Sequence, residues 1–312
     1  MKVIQMPSSN HREQPALLSA PDRTFRWLSC RKRRRFARIT VGLFVFYLGA
    51  LVSPLHAQDY ENSVVATDFD FIHDTDPSTF LCLEYKGQGL REMPDDTRDS
   101  PLVQSAFIFV AYFSDGTSID MALNTEFEKE DAARAEALRY VPRLGKLPTS
   151  LRQGVERLVV HKGSEDSTAF SDVGLIVLYS DNATKRISEH DLEETIFHES
   201  VHAAWGERWT WDEADENWSK WREAQASDGV FVTNYASENA DEDLAESALL
   251  AYTLVHHPER IPEEDAARIS STIPARIAFI RDLLPPDEPI FYDVGPEYSC
   301  DGSGETFTVT EN

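Results

Sequence analysis

The sequence is short of basic residues and of cysteine. Its 312 residues include 30 lysines and arginines against 54 aspartates and glutamates, and only three cysteines. Ten of the basic residues lie in residues 1–57, so residues 58–312 hold 20 bases against 52 acids. Because so negative a surface repels phosphate groups, the composition argues against nucleic acid or an anionic membrane as a partner of residues 58–312.

The chain also lacks a long apolar run at its N-terminus. The uncharged segment 39–53 is shorter than the ~20 residues that a bilayer span needs, which argues against an uncleaved anchor. A basic cluster, Arg31–Arg38, precedes this segment, and Ala57 follows it shortly. This order is typical of a secretory signal, so residues 1–57 are predicted to direct export to the periplasm or the medium, with cleavage near Ala57. Within the basic cluster, residues 33–36 resemble a twin-arginine signal.

Cleavage at Ala57 removes Cys30 and leaves two cysteines. Cys82 and Cys300 form an even pair in an oxidising compartment, which favours a disulfide between them, and the alternative is two buried free thiols. Two cysteines so far apart cannot supply a thiolate zinc site. The sequence therefore predicts one disulfide that joins the two ends of the mature chain.

Strand patterns precede helix patterns in residues 58–312. Residues 106–113 and 117–123 flank an Asp-Gly turn and predict a β-hairpin, and residues 80–83, 156–161 and 174–179 predict further strands. A helix is expected over 128–141, a short one after Pro148, and mostly helices from about residue 186. The predicted fold is one α+β domain, with a strand-rich part (58–185), a helical part (186–285) and a C-terminal tail (286–312).

One predicted helix carries a metal-binding pattern. Ser188 is the expected N-cap and Gly206 the expected C-terminal stop, and the helix between them contains His198-Glu199-Ser200-Val201-His202. Residues four apart on a helix share a face, so both imidazoles can reach one ion, with Glu199 beside a water molecule on it. The pattern predicts a zinc site with Glu199 as general base.

The third ligand is less defined. The pattern that adds a third histidine six residues on is excluded, because Trp205 and Arg208 stand where it needs glycine and histidine. A carboxylate from a later element is therefore expected. Glu242 is favoured because Glu246, one helical turn on, can support a ligand imidazole, and the alternatives are acids nearer in sequence, Glu223, Glu216 and Glu238.

The motif with the residues that follow it resembles the gluzincin metallopeptidases, and in particular their lethal-factor-like group. The resemblance covers about 60 residues, from Glu194 to Tyr252, and includes a tyrosine seven residues before the zinc-binding glutamate. It implies a zincin-like fold and one Zn²⁺ held by His198, His202 and Glu242. It also implies that Glu199 is the general base, that Tyr235 donates to the developing oxyanion, and that Glu246 is the carboxylate behind a ligand imidazole.

Two functions are compatible with this sequence. One is an exported zinc metallopeptidase that hydrolyses peptide or protein substrates, with the strand at 174–179 as the sheet edge that pairs with an extended peptide. The other is a non-catalytic zincin-like protein of the envelope or the medium, a binding module with structural zinc or none. Both functions keep the histidines and Glu242, but only the enzyme needs Glu199.

Overall fold

The computed structural model describes residues 60, 62–96, 102–165, 167–210, 215–284 and 300. These residues belong to one compact unit, Leu43–Asn312. The predicted export signal (1–57) lies outside the described residues, and so does the predicted tail (286–312) apart from Cys300.

The strand-rich part forms one six-stranded mixed sheet. Its order is β1-β2-β3-β4-β6-β5, with antiparallel pairing from β1 to β3 and between β5 and β6, and parallel pairing of β4 with β3 and β6. The fold is therefore mixed α+β, as predicted. The strands are β1 (Phe80–Glu92), β2 (Val103–Phe113), β3 (Ser118–Asn124), β4 (Arg157–His161), β5 (Ala169–Asp172) and β6 (Leu175–Tyr179).

The predicted β-hairpin is β2 and β3. Its turn contains Asp115 and Gly116, and Gly116 has φ +81°, a conformation that glycine adopts without steric cost. Asp115 Oδ1 accepts the Thr117 N–H at 3.0 Å, which closes the turn. The Asp-Gly pair between two apolar runs thus predicted the hairpin correctly, whereas β1 extends well beyond the predicted strand at 80–83.

The edge strand is not the predicted one. The strand expected at 174–179 is β6, and it lies between β4 and β5, so the prediction that it forms the sheet edge is wrong. The chain turns at Gly174, which has φ +68°, and β5 pairs along the outer side of β6, with Ala169 opposite Leu178. Among the described strands, the four-residue β5 therefore forms this edge.

Three helices lie between β3 and β4 in the chain, and the others follow β6 to residue 284, the end of the continuous described chain. The first of them, α1, is shorter than the predicted helix at 128–141, because Glu128 takes a positive φ of 66° before it and a turn at 138–140 ends it ahead of the next helix. Among the described residues no helix is both long and apolar enough to cross a membrane. The helices are α1 (Glu130–Ala137), α2 (Val141–Leu144), α3 (Thr149–Arg152), α4 (Ser180–Glu189), α5 (Leu192–Val201), α6 (Glu207–Thr210), α7 (Glu216–Asp228), α8 (Ala240–His256), α9 (Glu263–Thr272) and α10 (Pro274–Leu283).

The core fixes α5 against α8. Ile196, Phe197 and Val201 of α5 are fully buried, in one cluster with Leu244 and other apolar residues of α8. The ring of Phe197 packs against that of Tyr252 with centroids 5.2 Å apart. Burying an aliphatic or aromatic side chain contributes roughly 1.5–3 kcal/mol, so this interface holds the two helices in a defined register.

Cys82 and Cys300 lie at disulfide-bonding distance. Their Cα atoms are 5.6 Å apart, although 218 positions separate them in sequence. The bond attaches Cys300 to strand β1 at the start of the sheet. This is the pairing that the sequence predicted.

Candidate metal centre

The helix with the two histidines begins later than predicted. Ser188 is not its N-cap but lies in the last turn of α4, which ends where His190 takes a left-handed φ of 60°. The chain turns there, and α5 begins at Leu192 after Asp191. The predicted continuous helix is therefore two helices, and His198 lies in the second turn of α5.

Gly206 does not end this helix either. After α5 the chain continues through a π-helical turn, His202–Gly206, into α6. A Cβ atom at Gly206 would lie 1.7 Å from Oδ1 of Asp241, so no larger residue fits there while Asp241 keeps its position. The prediction of a C-terminal stop was wrong, since the glycine allows a close approach of α8 to the π-helical turn.

Three predicted ligand atoms meet at one point. Nε2 of His198 and Nε2 of His202 are 3.1 Å apart, and each lies 3.2 Å from Oε2 of Glu242. Ligand atoms bound to one tetrahedral zinc at 2.0–2.1 Å are roughly 3.3–3.4 Å apart, close to these separations. The three side chains thus form a group that could hold a metal ion.

The start of α8 sets the position of Glu242. Asn239 is the N-cap of this helix, and its side-chain oxygen accepts the N–H groups of Asp241 and Glu242 at 2.9 and 3.0 Å. A cap of this kind fixes the first turn of a helix. The first turn of α8 therefore presents two adjacent carboxylates to His198 of α5 and to His202, which begins the π-helical turn.

A carboxylate faces the other nitrogen of each imidazole. Oε1 of Glu246 lies 3.3 Å from Nδ1 of His198, and Oδ2 of Asp241 lies 3.0 Å from Nδ1 of His202. In a neutral imidazole these contacts favour the proton on Nδ1, which leaves Nε2 of each ring to bind a cation in the site. Two Nε2 atoms and a carboxylate oxygen this close together need protons or a metal ion between them, which fits a metal-binding role.

The charges of the site shift the titration of its groups. Burial lowers the pKa of His198, but the carboxylates of Glu242 and Glu246 outweigh it and raise this pKa to about 9. The pKa of His202 is also raised, because Asp241 and Glu242 outweigh its burial. Conversely, the two histidines lower the pKa of Glu242 in spite of its burial. The site therefore favours positive charge between its carboxylates.

Asp241 is a site residue that sequence reasoning missed. It directly precedes Glu242, and neighbouring residues on a helix do not share a face, so the i, i+4 argument selected Glu246 and passed over it. At the helix start, however, Asp241 reaches His202 while Glu242 reaches both histidines. The close packing of the π-helical turn at Gly206 brings His202 within its reach, and no local sequence pattern signals that packing.

Glu199 lies between the metal-binding group and the sheet edge. Its Oε2 accepts a hydrogen bond from Ser171 Oγ of β5 at 2.8 Å. The side chain is half-buried and lines a cleft of about 420 Å³ together with His198. Ser171 therefore holds one oxygen of Glu199, and Oε1 is the oxygen left to accept a proton from the cleft.

Tyr235 meets the metal-binding group from the loop before α8. Its hydroxyl donates to Glu242 Oε1 at 3.1 Å, and its ring stacks on His198 with centroids 5.9 Å apart. Burial and the Glu242 carboxylate raise the pKa of Tyr235, so the phenol keeps its proton at neutral pH. An uncharged O–H donor thus lies beside the predicted ligands.

The alternative third ligands lie elsewhere. Glu223 is exposed on α7, and Glu216 at the start of the same helix pairs with Lys220 at 2.7 Å. Glu238 lines the cleft but is exposed. Within the described part of the chain, only Glu242 of these four candidates joins the histidines in a metal-binding group.

The cleft lies between the N-terminal segment, the sheet edge and the Tyr235 loop. Its lining includes Asn62, Ser63 and Val65 of the N-terminal segment. The sheet edge contributes Ser167, Thr168 and Ala169, and the loop before α8 contributes Asn234, Tyr235 and Glu238. Arg186 and Thr195 also reach it, beside His198 and Glu199. An extended chain lying along this edge of the sheet would pass beside His198 and Glu199.

Substitution of Gly206 tests the packing around Asp241. Gly206→Ala should push Asp241 away from His202 and weaken zinc binding by about 10–100-fold, the usual effect of losing a carboxylate behind a ligand histidine. Asp241→Asn should give a loss of similar size. The double variant should then be no weaker than either single one, and zinc dissociation constants from chelator competition measure all three. Additive losses would show that Gly206 acts independently of Asp241.

In comparisons with known proteins, no family model, no curated protein and no solved structure matches the chain. The resemblance to the gluzincins therefore depends on the motif residues and their arrangement alone.

Proposed function

We propose that this protein is an exported zinc metallopeptidase with a zincin-like fold. The observation that carries the proposal is the convergence of His198 Nε2, His202 Nε2 and Glu242 Oε2, all within 4.8 Å of one another. Glu199 and Tyr235 line the same cleft as His198. The disulfide between Cys82 and Cys300 supports export, since such bonds persist in oxidising compartments.

Zinc is the metal that suits this group. Two imidazole nitrogens and one carboxylate oxygen are a common ligand set of catalytic zinc sites, which keep a fourth position for water. Zinc in such a site acts as a Lewis acid and lowers the pKa of a water molecule to about 7. The role of the protein is then to hold the ligands and to move protons at defined atoms.

Glu199 would act as the general base. Oε1 is the oxygen left to take the proton of the attacking water, while Oε2 keeps the hydrogen bond from Ser171. The protonated carboxyl can then deliver that proton to the leaving amine, so one side chain serves both halves of peptide hydrolysis. The hydrogen bond from Ser171 orients the Glu199 carboxylate, which favours proton transfer to and from Oε1.

Tyr235 would stabilise the charge that develops on the substrate carbonyl oxygen. Its hydroxyl keeps its proton and donates to Glu242 at 3.1 Å. A carbonyl oxygen that enters beside Glu242 can take over this hydrogen bond. A donor aimed at the developing charge contributes more in the transition state than in the ground state, which is what raises the rate.

The sheet edge supports a peptide as the substrate. Strand β5 pairs on one side with β6, and its residue Ala169 lines the cleft. Edge strands bind extended peptides through backbone hydrogen bonds. A peptide paired with β5 would place a carbonyl group near Glu199, whose partner Ser171 belongs to the same strand.

Removal and return of the metal tests the proposal. The protein is expected to hydrolyse members of a fluorogenic peptide library, to lose this activity after dialysis against 1,10-phenanthroline, and to regain it with one equivalent of zinc but not of magnesium. Hydrolysis that persists in protein stripped of zinc would contradict the proposal. Tight zinc binding without hydrolysis of any peptide would instead favour the non-catalytic binding protein.

A further inference from the structure

The N-terminal end of the described chain reaches the metal centre. The Tyr60 N–H donates to the Val232 carbonyl at 3.1 Å, and Tyr60 forms a parallel β-bridge with Thr233. Val232 and Thr233 belong to the loop that carries Tyr235. The N-terminal segment, Tyr60 with residues 62–65, is therefore attached to the site by backbone pairing, although 172 positions separate Tyr60 from Val232 in sequence.

This segment supplies two of the donors to Glu246. Ser63 Oγ donates to Glu246 Oε1 at 2.6 Å, and the Val64 N–H donates to Oε2 at 2.7 Å. Thr233 Oγ1 also donates to Oε2, at 2.8 Å. Glu246 is completely buried, and a buried carboxylate is costly unless donors surround it. The N-terminal segment thus provides much of what keeps Glu246 in the core.

Ser63 and His198 meet at the same oxygen. Oε1 of Glu246 accepts from Ser63 Oγ and lies 3.3 Å from His198 Nδ1. Ser63 Oγ itself accepts the Val65 N–H at 3.2 Å, so its own proton is directed to Glu246. Because this oxygen faces His198, whatever fixes it also fixes the orientation of the imidazole ring.

We infer that Ser63 is a positioning residue of the metal centre, whose hydroxyl holds Glu246, and through Glu246 the His198 ring, in the orientation that receives zinc. This inference rests on the zinc site of the proposed function. Ser63 is six residues beyond the predicted cleavage point at Ala57, so the start of the predicted mature chain would contribute to the site.

Zinc affinity measured by chelator competition on the full chain tests the inference. Ser63→Ala should raise the zinc dissociation constant by about three- to tenfold, somewhat less than the 10–100-fold expected for a direct partner of a ligand. Ser63→Thr keeps a hydroxyl and should restore the affinity. Ser271→Ala, at an exposed position on α9 away from the cleft, is the matched control and should bind zinc like the unaltered protein.

A second background shows whether Ser63 acts through Glu246. In Glu246→Gln protein, adding Ser63→Ala should cause no further loss of zinc affinity. A thermal unfolding midpoint for each zinc-stripped variant separates lost stability from lost affinity. The inference would be overturned if Ser63→Ala protein binds zinc within twofold of the unaltered protein, or if Ser63→Ala causes its full loss of zinc affinity again in the Glu246→Gln background. Either result would leave the proposed zinc site in place. Absence of zinc binding by the unaltered protein would overturn both.

Discussion

Peptide hydrolysis should fall by about 10²–10⁴-fold when Glu199 is replaced with glutamine, while zinc binding stays unchanged. Glutamine has nearly the same shape, and its amide oxygen can accept the Ser171 hydrogen bond in place of Oε2. It cannot accept a proton from water at neutral pH. The substitution therefore removes the proposed proton acceptor and leaves the metal ligands and the cleft in place.

The measurement compares kcat/KM and zinc content of the two proteins on the same fluorogenic peptide. Glu189→Gln is a suitable control, because it removes one acid from the exposed end of α4. The control should keep the activity of the unaltered protein within a factor of about two, as expected for a surface substitution. Unchanged turnover in Glu199→Gln protein at equal zinc content would refute the proposed mechanism.

Of the substitutions described, loss of Glu242 should weaken metal binding the most. Glu242→Ala removes the carboxylate whose Oε2 lies 3.2 Å from both ligand nitrogens. Structural zinc sites bind with about 10–16 kcal/mol for their full ligand set, so one ligand of four corresponds to roughly 3 kcal/mol, or more than a hundredfold in the dissociation constant. The variant should lose its zinc during purification.

Glu223→Ala is the matched control for this prediction. Glu223 is an exposed acid on α7 and was the nearest rival to Glu242 as third ligand. Its removal should leave the zinc dissociation constant unchanged within a factor of about two, as for other exposed positions. The reverse order of the two effects would show that the third ligand comes from α7, and that the arrangement of α8 against α5 differs from the one described.

Local chemistry made several elements predictable from the sequence. The hairpin follows from an Asp-Gly turn between two apolar runs, and the histidine pair follows from the spacing of a helical turn. Glu242 and Glu246 could also be predicted from the sequence, because their spacing places them on one helical face. In each case the signal lies within a few residues, where backbone geometry alone decides which side chains lie together.

The missed features depend on packing between distant segments. Strand β5 has only four residues, and the sequence Ala-Phe-Ser-Asp has no β-branched run to mark it. His190 ends α4 in a left-handed conformation that a non-glycine residue seldom takes, so the break before α5 has no sequence signal. Asp241 and Ser63 reach the site only because α8 and the N-terminal segment pack there.

Zinc analysis of the purified, unaltered protein is the most direct test of the central claim, which is that His198, His202 and Glu242 hold one catalytic zinc. The protein should be prepared without exposure to chelators and measured for metal and protein in the same sample. The account predicts about one zinc per chain, as a site with three protein ligands retains its metal through purification. Less than about half an equivalent of zinc, without another divalent metal in its place, would contradict it.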